Sequence, residues 1–245
     1  MKAALFVTCL VDGLVPEVAK ATVRILERLG VTVAVPMGQT CCGQMHVNTG
    51  YPREALPLVR NHVAAFEAYD VIVVPSGSCT AAIRHQHAEV ADLGGDPALA
   101  AAAVAVAART WELSEFLTGV LGVTDVGAYF PHRVTYHPTC HSLRLLHVGE
   151  RPLQLLRAVE GIDLVELPDA DQCCGFGGTF ALKNPAVSSA MLADKMSAIQ
   201  GTLATVVTAG DASCLLHIGG GLSRLNTAIG ARHLAEILAT TRSAR

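Results

Sequence analysis

Eight cysteines carry the chemistry of this 245-residue sequence, at positions 9, 41, 42, 79, 140, 173, 174 and 214. They fall into two sets of four. In the first, 31 residues separate Cys9 from Cys41-Cys42, and 36 more precede Cys79. In the second, 32 residues separate Cys140 from Cys173-Cys174, and 39 more precede Cys214. Local sequence repeats with them: Thr8-Cys9 matches Thr139-Cys140, Cys41-Cys42-Gly43 matches Cys173-Cys174-Gly175, and Ser78-Cys79 matches Ser213-Cys214. A self-match at an offset of 131 to 135 residues is an internal duplication.

Thiolates are soft, electron-donating ligands suited to iron–sulfur clusters and to zinc. Structural zinc usually rests on two short Cys-x-x-Cys knuckles, which this chain lacks, and adjacent cysteines fit one tetrahedral ion poorly. Zinc stays open for one half, with the first the better candidate. A redox disulfide within Cys41-Cys42 or Cys173-Cys174 closes a strained ring and ranks third. Cysteine as a mere small buried hydrophobe explains one such residue better than eight in a duplicated pattern. Gly43 and Gly175 let the backbone approach a bulky inorganic group and offer an amide to its sulfide. Gly175-Phe176-Gly177-Gly178 exposes more backbone than Gly43-Gln44-Met45-His46, so the two sites need not be equivalent.

The elements that position these residues read as β-α-β-α-β in each half. Apolar or β-branched runs at Ala3–Val7, Val31–Val35 and Val71–Val74 precede Cys9, Cys41 and Cys79. Helical spacing covers Val15 to Leu29 and Glu54 to Tyr69. The second half repeats the order, with strands near Val134–Tyr136, Leu164–Leu167 and Ala204–Thr208 and helices near Pro152–Ala158 and Pro185–Ile199. This predicts an α/β fold of two duplicated units with parallel sheets, related by a pseudo-two-fold axis. The cysteines fall at strand C-terminal ends, the ligand-binding edge of such sheets. The expected organisation is a first cysteine-rich unit over 1–95, a helical connector over 96–130, and a second unit with a C-terminal helix over 131–245. Trp111 and Phe116 are expected on the connector helix, packed in the core or between halves.

Other side chains near the cysteines are weaker candidates. His137, His141 and His217 either ligate iron or carry protons, or simply cap strand ends. Asp211 suits a turn. Arg144 is able to clamp a substrate carboxylate bidentately, or is a solvated helix residue; Lys183 is a weaker cation of the same kind. His85, His87 and His132 read as surface residues. No glycine-rich dinucleotide fingerprint is present, because Gly219-Gly220-Gly221 opens no strand-to-helix unit with a partner acid. That favours one-electron relay over hydride chemistry.

Composition bounds the rest. Hydrophobic residues make up 51% and charged residues 16%, a globular balance. A net charge of −3 gives no basic face for nucleic acid. The apolar start at Met1–Phe6 is too short for a signal peptide, and the longest apolar run, Pro97 to Ala108, is too short to span a bilayer. The expectation is a protein of the cytosol with no membrane insertion, where thiols stay reduced.

The paired pattern, Cys-x31/32-Cys-Cys-Gly-x35/38-Cys, resembles the cysteine-rich CCG domain family. That family includes the cysteine-rich subunit of heterodisulfide reductase and the iron–sulfur subunit of glycolate oxidase. The fit is closer to its lactate utilization protein A group, on Leu5-Phe6-Val7-Thr8-Cys9-Leu10-Val11-Asp12, Pro75-Ser76-Gly77-Ser78-Cys79, Cys173 to Phe180 and Cys214 to Gly220. The resemblance spans essentially the whole chain. It implies all eight cysteines as ligands of one or two iron–sulfur clusters, 4Fe–4S in type. It also implies electron transfer in oxidising L-lactate, a small 2-hydroxy acid, to pyruvate. Lactate utilization proteins B, a ferredoxin-like iron–sulfur subunit, and C, a third subunit, are the partners it implies. The broader pattern ends in Cys-x-x-Cys, and its five thiolates can carry non-cubane clusters. Here Ser76 and Asp211 stand where that fifth thiolate would be. Four thiolates suffice for a cubane, an oxygen of Ser76 or Asp211 is a candidate supplement, and an iron left open for substrate is a further alternative.

Overall fold

The computed structural model describes residues 1–242. Strands β1 (Lys2–Leu5), β2 (Thr32–Ala34), β3 (Ile72–Val74) and β4 (Thr110–Glu112) form one four-stranded sheet in the order β2-β1-β3-β4. Strands β5 (Arg133–Tyr136), β6 (Asp163–Val165), β7 (Val206–Ala209) and β8 (Gly230–His233) form the second, in the order β6-β5-β7-β8. Every pairing is parallel, with Ala4 opposite Ile72 and Val134 opposite Val206 at the centres. The duplication in sequence is therefore a duplication in topology.

The reasons are local. Ala3, Ala4, Leu5 and all of β3 are completely buried, as strands covered on both faces must be. The helix Glu17–Arg28 buries Val18, Ala21, Thr22, Ile25 and Leu26, a stripe at helical spacing, and Gly30 at φ 77° turns the chain out of it. Pro52 and Pro185 open the long helices Pro52–Phe66 and Pro185–Gly201, at the position where a missing N–H costs nothing.

The structure differs from expectation in three elements. The stretch read as a helical connector contains strand β4, and Trp111 lies on that strand, under the Arg84 guanidinium. The tail contains β8. Neither run is apolar and β-branched enough to announce a strand; pairing to a buried neighbour makes them strands. The third difference is that helices Gly77–His85 and Ala212–Arg224 begin just before the last cysteine of each set.

One core crosses the halves. It joins Ala3, Val73, Val134 and Val206 of the two sheets to Leu113, Phe116 and Leu238. The helix after each fourth strand packs on the opposite half: Leu234–Ala239 lies on Glu17–Arg28, and Leu113–Glu115 lies on Arg151–Arg157. Arg28 fixes the first contact by donating to the carbonyls of Val126 (2.9 Å), Leu238 (3.2 Å) and Ala239 (2.5 Å).

Candidate metal centres

In each sheet the chain leaves β1 or β5 for opposite neighbours, so the crossovers part above the central strands. That is the switch point where open α/β sheets bind ligands. Cys9 and Cys140 are the first residues of short helices after β1 and β5. Cys79 and Cys214 sit in the first turns of the helices after β3 and β7. The Cys-Cys-Gly triplets follow β2 and β6. Three adjacent strands thus deliver four sulfurs to one edge, in each half.

The sulfurs meet. Cys9 Sγ lies 3.5 Å from Cys41 Sγ, and the Gly43 and Gly175 amides donate to the Cys41 and Cys173 sulfurs, 3.4 Å each. One cavity is lined by Cys9, Cys41, Cys42 and Cys79 together with Phe176 and Asp211 of the other half. Thiols of Cys42 and Cys9, with the Gly43 amide, hold Cys41 far below the usual thiol range, at about 2; Cys140 and Cys174 do the same for Cys173. The donating partners Cys9, Cys42, Cys140 and Cys174 are pushed up, chiefly by those same hydrogen bonds and by burial. Linked thiols that hold each other's protons are a set that a metal ion deprotonates as one unit. All eight cysteines are free thiols, Cys42, Cys174 and Cys214 being buried and the rest half-buried.

Gly43 and Gly175 are explained by more than access. Both have positive φ, 81° and 88°, and a Cβ at Gly175 would stand 2.6 Å from the Ser188 carbonyl oxygen. The turn that presents the paired cysteines closes only with glycine there.

The other candidates sort by what they touch. Asp211 is buried and belongs to the contact between halves. Its Oδ1 accepts from Ser76 Oγ (2.5 Å) and Ser78 Oγ (2.8 Å), and its Oδ2 accepts from Ser78 N (3.0 Å) and Thr139 Oγ1 (3.1 Å). Ser76 also caps its helix by accepting from Cys79 N (3.2 Å). The two residues standing in the fifth-cysteine position therefore bond to each other across the pseudo-two-fold axis. His141 is half-buried, with Nε2 2.8 Å from Gln44 Nε2 of the first half. His217 Nε2 lies 3.4 Å from Ser188 Oγ. Arg144 is exposed and donates to the Asp171 carbonyl (3.0 Å), while its charge acts on the Cys140 thiol; exposed Lys183 lies over the Tyr51 ring. His137 is fully buried beside Cys174 and Cys214, one donor atom of each lying within 4.8 Å of the others.

Two residues were misread or missed. His87, expected at the surface, is buried, with Nε2 2.8 Å from the Cys42 carbonyl; His85 and His132 are exposed as expected. Burial lowers His87 to about 4 and keeps the ring neutral. Lys195 is 1% exposed and donates to the Asp169 (2.7 Å) and Ala170 (3.4 Å) carbonyls of the loop leading into Cys173. Burial pulls its pKa down, against the Cys174 and Asp171 charges. Its signal was available: aligned on Pro52 and Pro185, Lys195 takes the place of His62, a buried polar position on the same helix of each half.

Soft donors in fours, backbone amides aimed at sulfur, and a buried edge fit an iron–sulfur cluster in each half. Among the described residues no helix is long and apolar enough to cross a membrane.

The CCG cysteine-rich domain profile matches residues 3–84 and again 134–219. Lactate utilization protein A of Geobacillus kaustophilus is 47% identical over 238 residues, covering 97% of this chain and 98% of that one. The protein of the same name from Oceanobacillus iheyensis is 43% identical over 242 residues, covering 99% and 98%. Among solved structures, an aspartate racemase homologue from Pyrococcus horikoshii is 12% identical with a TM-score of 0.35, covering 97% of this chain and 95% of that one. With the domain matched in both halves and relatives matched end to end, the chain belongs to the lactate utilization protein A family of CCG cysteine-rich domain proteins.

Proposed function

We propose that this protein is the iron–sulfur electron-transfer subunit of a cytosolic L-lactate-oxidising system. Cys9, Cys41, Cys42 and Cys79 would hold one cluster, and Cys140, Cys173, Cys174 and Cys214 the other. Bound there, a cluster supplies one-electron chemistry that no side chain offers. Oxidation of lactate to pyruvate releases two electrons and two protons, and proteins B and C of the system are the partners with which this chain would share them. The observation that carries the reading is the hydrogen-bonded linkage of four thiols in each half, Cys9, Cys41, Cys42 and Cys79 in one and Cys140, Cys173, Cys174 and Cys214 in the other, in a chain matched end to end by lactate utilization proteins A.

The residues do definite work in this role. Burial of Cys42 and Cys174 shields their sulfurs from water. The Gly43 and Gly175 amides lower the charge cost of a reduced site. The Asp211–Ser76 contact fixes one half against the other, so a path between two centres would have constant length.

Anaerobic purification, reconstitution with ferrous iron and sulfide, and analysis for iron, acid-labile sulfide and zinc test the proposal. The expected result is iron with matching sulfide and a visible absorption bleached by reductant. Stoichiometric zinc without sulfide would instead establish a zinc scaffold. A metal-free product with reversible disulfides would establish a thiol-redox protein.

A further inference from the structure

His137 is the polar side chain that the thiol sets leave unexplained. It follows β5, is 0% exposed, and neither ring nitrogen has a hydrogen-bond partner. An orphaned buried polar atom forfeits its hydration with nothing in return, so an imidazole with both nitrogens idle marks a missing partner. The Cys174 and Cys214 sulfurs complete a set of three donors within 4.8 Å of one another. Nitrogen and sulfur ligands about 2.1 and 2.3 Å from a shared ion stand up to ~4.4 Å apart, so little movement closes this set.

The first half supplies the contrast. Phe6 and His137 each stand third before the first cysteine of their set, and their amides make the same ladder bond, to Val73 O (3.0 Å) and Thr208 O (2.8 Å). Phe6 ligates nothing; it packs edge-on against His62 and Phe66. The duplication has one backbone position and two chemistries.

We propose that His137 ligates the metal centre of the second half through a ring nitrogen. That half then has a mixed donor set of four thiolates and one imidazole, against four thiolates in the first. The other nearby histidines are occupied, His141 with Gln44 and His217 with Ser188. The fifth donor that Asp211 cannot give, because both its oxygens are bonded across the halves, comes from His137. A neutral imidazole adds no negative charge where a fifth thiolate would, and histidine ligation raises the potential of such centres.

The inference rests on the reading of each half as a cluster site, and the experiment separates the two. The full chain carrying Cys42→Ser, which disables the first centre, is reconstituted with iron and sulfide, reduced, and studied by pulsed EPR with and without ¹⁵N-histidine. A strong nitrogen coupling that follows the label, disappears in His137→Ala and persists in His141→Ala and His217→Ala is expected. A paramagnetic cluster with no labelled coupling, or one whose coupling survives His137→Ala, overturns the inference and leaves the cluster reading standing. If His137→Ala does not fold, the labelled chain decides, with His141→Ala and His217→Ala assigning the coupling by elimination. If no sulfide is incorporated, the cluster reading falls. Cobalt(II) added to the metal-free chain then decides His137 alone, a labelled nitrogen coupling supporting ligation and its absence refuting it.

Discussion

Replacing Asp211 by alanine should loosen the junction between halves without removing metal. The carboxylate accepts four hydrogen bonds, from Ser76 Oγ, Ser78 Oγ, Ser78 N and Thr139 Oγ1 at 2.5–3.1 Å, and is 1% exposed. Bonds to an acidic acceptor are worth about 1.5–3 kcal/mol each, but its burial already costs several kcal/mol, so the gross sum overstates the loss. What alanine leaves behind is more informative. Ser78 N–H and two hydroxyl protons lose their acceptor in a buried place, while Thr139 keeps Ser142 (2.9 Å) and Ser76 keeps Cys79 N. At about 1–3 kcal/mol per orphan, with partial relaxation, the net loss is about 3–5 kcal/mol. In a chain of this size that lowers the melting temperature by roughly 6–20 °C. Calorimetry on the metal-free protein measures it. A double-mutant cycle with Ser76→Ala should return a coupling of about 1–3 kcal/mol. A melting temperature within 2 °C (roughly 1 kcal/mol or less) of the parent, together with loss of iron from the second half, would refute the argument and make Asp211 a ligand.

Gly175→Ala must fit a Cβ 2.6 Å from the Ser188 carbonyl oxygen at φ 88°, so it should cost at least about 2 kcal/mol, read as a lower urea midpoint. The ring of His87 is held at about 4 by burial against an ordinary 6.5, so the folded state binds fewer protons than the unfolded chain between those values. Its stability contribution is complete above pH 6.5 and lost as pH falls toward 4, about 3 kcal/mol in all. Glu112, raised to about 7 chiefly by burial, titrates with the opposite sign, so the clean measurement is the difference between parent and His87→Gln across that window. Denaturation midpoints of the two should converge on acidification; a constant gap would contradict the assignment. Lys195→Met removes a buried cation beside the second set of thiols. The potential of a centre there should drop by about 60 mV for each 1.4 kcal/mol of attraction lost, measured by redox titration, while the first centre stays put.

What the sequence disclosed was the part governed by repetition. Two Cys-Cys-Gly triplets at matched offsets disclose a duplication, and apolar runs ending at each cysteine disclose parallel strands with sulfur at their C-terminal edge. The edge strands β4 and β8 stayed hidden because Thr110-Trp111-Glu112 and Gly230-Ala231-Arg232-His233 become strands through their neighbours and not through their own propensity. His87 was misread for a related reason: helix His87–Leu93 is short, and its inward face is set by packing against Pro52–Phe66. Asp211 and Ser76 were recognised as substitutes for a thiolate, but a single chain read in one dimension does not reveal that equivalent positions meet at a symmetry axis.

That meeting gives the departures from the five-cysteine pattern a physical logic. Residues at equivalent positions near a pseudo-two-fold axis face each other, so a change in one is constrained by the other. Two thiols there would confront sulfur with sulfur; a serine hydroxyl and an aspartate carboxylate make a donor–acceptor pair instead, 2.5 Å apart. Gly77, whose Cβ would fall 1.9 Å from Ser142 Oγ, lets the halves come that close. Away from the axis no such constraint operates, and there the halves differ most: Phe6 against His137, and His62 against Lys195. The first-half members of these pairs, Phe6 and His62, pack with Phe66 in the core cluster that holds Cys42, and the second-half members place an unpartnered imidazole and a buried ammonium near Cys174. In the proposed role, a neutral aromatic surround and a cationic one with an added imidazole donor would set different potentials for the two centres. The duplicated backbone thus supplies two cysteine sites on one topology, and the substitutions off the axis make them electrically unequal; in the proposed electron-transfer role the second would be favoured to hold the electron.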